Sequence, residues 1–295
     1  MSVQAVTPAP SAGVAGPRRP TARSVLWHVA VIALVLVLMY PVLWLVSSSF
    51  KPAGEVLTNL SLLPHRGTAS NYSQVFGGVA GYSVWQYFGN SLLVSGLAVI
   101  GNVLSCALAG YAFGRLKFRG RGPLFAFMIA TIMLPHHVVL IPQYIIFQKL
   151  GMVNTFWPLV LPKFFATDAF FVFLMVQFVR GLPRELDESA TIDGCGPFRT
   201  FWYIILPLLR PAVITTSIFT FIWTWNDFFS QLIYLNDPSK FTLPLALQIY
   251  VDQTSQSAFG PMFAMSVLAL VPIGLFFVAF QRFLVDGVST SGLKG

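Results

Sequence analysis

Few side chains in this 295-residue sequence are suited to chemistry, and they fall in two places. One is a set of polar groups placed within or at the ends of apolar runs: His136, His137 and Gln143, then Asn226, Asp227 and Gln231. Polar groups there are costly and turn toward the interior of a helix bundle, so they could bind a hydroxyl-bearing solute, relay protons, or hold one helix against another. Their spacing fits no recognised catalytic arrangement. The other place is residues 184–194, the longest charged stretch in the chain: Arg184, Glu185, Leu186, Asp187, Glu188, Ser189, Ala190, Thr191, Ile192, Asp193 and Gly194. The sequence contains no G-x-x-x-x-G-K-[ST] phosphate loop, no H-E-x-x-H and no G-x-S-x-G elbow. Cys106 lies in an apolar run and Cys195 in the charged loop, which suits plain thiols better than a disulfide or a metal pair.

The charged stretch carries its own start and stop signals. Pro183 suits the first position of a helix, where its missing donor costs nothing. Glu185, Asp187 and Glu188 then fall near the positive end of the helix dipole. Gly194 suits a left-handed stop, and Gly196-Pro197 opens the next helix. The spacing therefore predicts a short helix, a glycine break, and a second helix running into the next apolar run. Ser189 and Ala190 leave a patch of little bulk, where another protein could approach closely.

The elements that position these residues follow from composition. Hydrophobic residues make up 56% of the chain and charged residues 9%, against roughly 25% charged in a soluble domain; mean hydropathy is +0.73. Lipid must be the solvent for much of the surface. A span needs about 20 mostly apolar residues, and six runs qualify: 25–47, 90–113, 124–147, 156–179, 206–232 and 263–283. The fold class expected is all-α, a polytopic membrane protein of six transmembrane helices. The run from Val25 is too long for a signal-peptide core, so it reads as an uncleaved first span. Pro41, Pro135, Pro142, Pro158, Pro162, Pro211 and Pro272 fall in or beside spans and are expected to kink them.

The net charge of +8 does not point to nucleic acid, because the basic residues sit in short segments between apolar runs. With the N-terminus inside, thirteen of the eighteen Lys and Arg face the cytoplasm, led by the cluster from Arg115 to Arg121. The positive-inside rule then places both termini in the cytoplasm. Residues 1–24, rich in Pro, Ala, Ser and Val, read as a disordered tail. The expected organisation is that tail, a six-span domain over 25–285 with an inner loop at 181–207, and a cytoplasmic tail at 286–295.

One segment carries a resemblance. Glu188-Ser189-Ala190, three residues, Gly194, nine residues, then Ile204-Ile205-Leu206-Pro207 resembles the EAA–G–I-x-L-P loop of ATP-binding-cassette (ABC) importer permeases, with Ser189 in place of the usual first Ala. Shorter stretches are similar to the carbohydrate-uptake branch, the six-span partner of the maltose and glycerol-phosphate permease type. They include Asn90-Ser91-Leu92-Leu93-Val94, Gly110 to Leu116, Leu150 to Thr155, Thr224-Trp225-Asn226-Asp227-Phe228, and Ser291 to Gly295. The resemblance covers the chain from about Val25 onward.

The resemblance implies that the loop is a coupling helix docking on an ATPase subunit. Glu188, Ala190 and Gly194 would carry the dock, with Ser189, Asp193, Leu206 and Pro207 completing the motif, and ATP-driven closure would pull on spans four and five. It implies a second homologous permease, two copies of an ATPase subunit holding ATP and Mg, an extracytoplasmic solute-binding protein, a sugar as cargo, no cofactor on this chain, and no enzymatic activity of its own. Asn226, Asp227, Gln231, Trp225, His136 and Gln143 are the expected substrate path. Each also has a packing reading, and Trp223, Trp225 and Tyr234 fit either sugar stacking or an interfacial belt. Two other readings stay open: an ABC importer for a non-sugar solute, and a proton-coupled secondary transporter using Asp227 and the histidines.

Overall fold

Helices are the economical answer to an apolar chain in lipid, since each satisfies its own backbone donors and acceptors. The computed structural model describes residues 22–56, 58–252 and 259–289. In chain order its α-helices are α1 (Ala22–Ser49), α2 (Ala53–Val56), α3 (Ser70–Phe76), α4 (Val84–Arg115), α5 (Arg121–Thr131), α6 (His136–Lys149), α7 (Trp157–Val160), α8 (Ala169–Gly181), α9 (Glu185–Ile192), α10 (Pro197–Thr200), α11 (Leu206–Leu208), α12 (Arg210–Asn226), α13 (Phe229–Tyr234), α14 (Leu243–Asp252) and α15 (Phe259–Ser289). The described residues form no strand beyond one isolated bridge between Val79 and Tyr82, so the chain is all-α as expected.

Among the described residues, four helical segments are long and apolar enough to cross a membrane, or five if the bent pair around Leu209 counts as one span. The first, second, fourth and sixth expected spans correspond to α1, α4, Trp157–Gly181 and α15. The third is not one helix. It splits into α5 and α6 around residues 132–135, because Pro135 lacks a donor and disfavours helical geometry at Leu134. The fourth contains a 3-10 stretch, Leu161–Phe165, ended by Ala166 at φ +53°.

The fifth departs most from expectation. Its crossing helix starts at Arg210 rather than Leu206 and stops at Asn226 rather than Leu232. Pro197–Leu208 meets it at 76°. Pro207 and Pro211 each remove a donor from a continuous helix; a π-helical turn over Phe201–Ile205 and a bend at Leu209 absorb the loss. The disordered tail expected over 1–24 lies outside the described residues up to position 21, and 22–24 are already helical. At the other end α15 runs on to Ser289, with 290–295 outside the described residues.

α4 is the axis of the bundle, with α8 and α12 packed along it. Its approach to α8 depends on Gly110 and Gly114. A Cβ on Gly110 would sit 2.4 Å from Met175 Cβ, and one on Gly114 would sit 2.4 Å from Val179 Cγ1. This is the small-xxx-small packing of membrane helices, in which missing side chains let backbones close. On the α12 side, Asn102 Nδ2 donates to Thr220 Oγ1 at 2.8 Å, inside the core. α1 leans on α15 and exposes almost its whole length, as a lipid-facing helix should.

Candidate functional site

The charged loop folds into the short helix and glycine stop that its spacing predicts. α9 carries Glu185, Asp187 and Glu188 in its first turns, where each carboxylate gains about 0.3–1 kcal/mol from the dipole. It begins two residues after Pro183, which precedes the helix rather than opening it. It ends in a full Schellman motif: Gly194 takes φ +76°, its N–H donates to Thr191 O at 3.0 Å, and the Cys195 N–H donates to Ala190 O at 2.8 Å. Pro197 then opens α10.

Glu188, Ser189, Ile192, Asp193 and Gly194 are exposed on this loop. Ala190 is not: it is 2% exposed, so its methyl faces the chain's own interior and cannot touch a partner. Its small size serves the inward packing of α9, while the small surface residue is Ser189. Ile192 was not singled out from the sequence, although a lone apolar residue on the outward side of an acidic helix was the available signal. Leu206 is half-buried against the inner core and Pro207 is exposed, both in the bent segment rather than on α9.

α9 is also held from a distance. Arg115, the last residue of α4, donates through Nη2 to Leu182 O at 2.6 Å and Pro183 O at 3.2 Å. Its Nε lies 3.2 Å from Asp187 Oδ2. Arg115 and Asp187 border a cleft of about 280 Å³ between the end of α4 and the α9–α10 loop, with Tyr111, Glu188 and Thr191 also on its wall. Arg121 closes the same end of α4, reaching Leu116 O at 3.2 Å and Gly114 O at 3.4 Å.

The expected substrate path divides. Trp225 is 2% exposed, stacked on Phe221 with its Nε1 donating to Ala269 O at 3.1 Å, so it is a packing residue and not a stacking platform. Gln231 is buried too; its amide donates to Thr224 O at 3.2 Å and its carbonyl accepts from the Thr242 hydroxyl, which ties α13 to the end of α12 and to the residue before α14. Tyr234 is likewise buried. Trp223 is the opposite case, 52% exposed beside Phe171, Phe170 and Phe219.

Asn226 and Asp227 end α12 at a break in the fifth span. Asn226 is exposed, with Nδ2 turned back to Ile222 O at 2.8 Å, and Asp227 caps α13 through Ser230 N at 3.1 Å. The break in the third span meets the break in the fifth: the His137 ring stands edge-on to Phe229 at 5.0 Å. His136 opens α6, and Gln143 is half-buried one helical stretch further on.

A further ionic feature was not read from the sequence. Lys163 Nζ and Asp168 Oδ2 form an ion pair at 2.8 Å, across the break in the fourth span. Two opposite charges five residues apart, Lys163 and Asp168, within an otherwise apolar run were the signal for it.

A bundle of broken apolar helices around one long axis, with a capped acidic helix outside it, defines a polytopic membrane transport component. The chain belongs to the family of binding-protein-dependent transport system inner membrane components, whose family model matches residues 101–290. It is 32% identical over 265 residues to the arabinooligosaccharides transport system permease protein AraQ of Halalkalibacterium halodurans, covering 89% of this chain and 93% of the relative. It is 30% identical to the galactooligosaccharides transport system permease protein GanQ of Bacillus subtilis, covering 89% and 92%. It is 31% identical to the diacetylchitobiose uptake system permease protein NgcG of Streptomyces coelicolor, covering 89% and 86%. The fold matches a chain in the crystal structure of a bacterial ABC transporter involved in import of the acidic polysaccharide alginate, with TM-score 0.78, 20% identity, and coverage of 90% and 99%. The resemblance read from residues 188–207 therefore holds: this is an ABC importer permease, a multi-pass membrane protein.

Proposed function

We propose that this chain is one permease subunit of an ATP-driven carbohydrate importer of the cytoplasmic membrane, with both termini in the cytoplasm and α5 and α6 forming one broken third crossing. It works beside a second homologous permease, two copies of an ATPase subunit that hold ATP and Mg²⁺, and an extracytoplasmic solute-binding protein. Alternating access opens a cavity between the two permeases outward and then inward.

The observation that carries this reading is α9. It presents Glu188, Ser189, Ile192 and Asp193 outward at the end of the bundle where Arg115, Arg121, Arg180, Arg184, Arg199 and Arg210 also lie. An exposed isoleucine amid carboxylates suits a protein groove better than lipid, and a chain with no phosphate loop needs a partner to handle nucleotide. The ATPase binds the two states of the bundle differently and so shifts it between them. Sugar cargo is supported by the names of the relatives and by the exposed Trp223. Asn226, Asp227, His136 and Gln143 flank the path at the helix breaks.

The test is to purify the full chain from its native membrane in mild detergent and identify its companions. An ATPase subunit should co-purify, and the binding protein that docks on the complex should bind an oligosaccharide. A binding protein selective for a peptide or amino acid would move the cargo to another class, and a chain that purifies alone would contradict the importer.

A further inference from the structure

The fourth span carries two opposite charges where the membrane is deepest, and each is exposed on one side. Asp168 precedes α8, whose 13 residues extend about 20 Å to the cytoplasmic end at Gly181. On the neighbouring helix, Ser105 Oγ donates to Lys163 O at 2.7 Å. Ser105 stands about 15 Å along α4 from Arg115. Both estimates put the pair near the middle of a hydrocarbon core about 30 Å thick. Ionised groups at that depth face the bundle interior or a water-filled cavity. Here both side chains remain 25% exposed, so this chain does not seal them.

The surroundings have the composition of a sugar site rather than of a lipid face. Thr167 is exposed between the charged partners and the start of α8, with its hydroxyl donating to Pro162 O at 3.0 Å. Phe170 lies 6.4 Å from Trp223, giving an aromatic wall along α8 and α12. Aromatic faces cover the apolar side of a pyranose, while a lysine donates to and a carboxylate accepts from its hydroxyls.

We propose that the break in the fourth span is a solute subsite, in which Lys163 and Asp168 hydrogen-bond a pair of sugar hydroxyls and Trp223 and Phe170 stack on the ring. The pair is electrically neutral as a unit, which suits a neutral hydroxyl-rich cargo. This rests on the carbohydrate-importer reading and assigns to it the residues that touch the cargo.

Two measurements on the complete reconstituted importer test it. The first uses Thr167→Cys in a Cys195→Ser background, treated with a membrane-impermeant, water-soluble maleimide from the binding-protein side. The cysteine should react, and labelled oligosaccharide in the presence of binding protein should slow the reaction several-fold. A cysteine that never reacts shows a face sealed by lipid or by the second permease, and overturns the subsite. The second compares uptake of tritiated arabinooligosaccharide, galactooligosaccharide and diacetylchitobiose by Lys163→Gln/Asp168→Asn and by the milder Asp168→Asn. The apparent KM should rise about tenfold in the double variant. An unchanged KM, or a lower rate that only follows a loss of assembled complex, overturns the proposal. Wild-type importer that takes up none of the sugars counts against the carbohydrate reading instead, and the maleimide result still decides whether an aqueous path passes Thr167.

Discussion

Arg115 Nε at the C-terminal end of α4 lies 3.2 Å from Asp187 Oδ2 on α9, and the same guanidinium holds the carbonyls of Leu182 and Pro183 just before that helix. The contact ties α9 to α4, its neighbour in space but not in sequence. The sequence alone suggests that α9 pulls on spans four and five, which flank it in the chain. The guanidinium adds α4, which packs closely on α8 through Gly110 and Gly114.

Arg115→Met should therefore loosen coupling more than assembly. The variant loses two hydrogen bonds from a charged donor, each contributing about 1.5–3 kcal/mol, so sugar uptake per ATP hydrolysed should fall at least roughly tenfold, with Arg115→Lys intermediate. Uptake and hydrolysis measured together in vesicles check this. An unchanged ratio would leave the ion pair without a coupling role.

Gly194 has open space around its Cα, so a side chain there meets no neighbour. Its φ of +76° is the constraint. Left-handed geometry costs an ordinary residue about 1–2 kcal/mol, and asparagine less. Gly194→Val should distort the Schellman stop and lower both ATPase co-purification and ATP-driven uptake, while Gly194→Asn retains most of both. Full activity in Gly194→Val would remove the loop from the coupling mechanism.

The two tryptophans two residues apart separate packing from transport. Trp225→Phe loses the bond to Ala269 O and should cost about 1 kcal/mol, read as faster thermal inactivation with an unchanged KM for sugar. Trp223→Ala should leave inactivation nearly unchanged and raise KM. The reverse pattern would contradict the assignment of the exposed face.

What the sequence disclosed follows from where local chemistry decides the outcome. Gly194 and the acidic first turn of α9 were legible because caps and dipoles act within a few residues. The break in the third span was half-legible: Pro135 announced a kink, but whether a kink becomes a gap depends on neighbours. Trp225, Gln231 and Ala190 were not legible, because which face of a helix turns inward is set by distant partners such as Ala269 and Thr242. Lys163–Asp168 went unread for the same reason, as its meaning depends on depth and on the broken backbone between the two residues.

On the loop between α1 and α3, Glu55 accepts from the His65 N–H and from Asn59 Nδ2, both at 2.7 Å. The His65 backbone bond foremost, then the Asn59 amide, holds its carboxyl below the ordinary glutamate value. A depressed folded pKa stabilises the loop fully above the unfolded value and is lost as pH falls through the folded one. Protection of the His65 amide, the intrinsic exchange rate at the same pH over the observed rate, should fall on acidification in that window, and Glu55→Gln should abolish that loss of protection. A wild-type profile that is flat with pH would contradict the bond.

The central claim is that ATP hydrolysed by a partner drives this chain through α9. The most direct measurement is uptake of labelled oligosaccharide into vesicles holding the chain with its partner permease, ATPase subunits and binding protein, compared with vesicles holding the chain alone under a proton gradient. Uptake should require ATP and every partner, and should be absent from the chain alone. Sugar accumulation by the isolated chain, driven by protons and indifferent to ATP, would contradict the account.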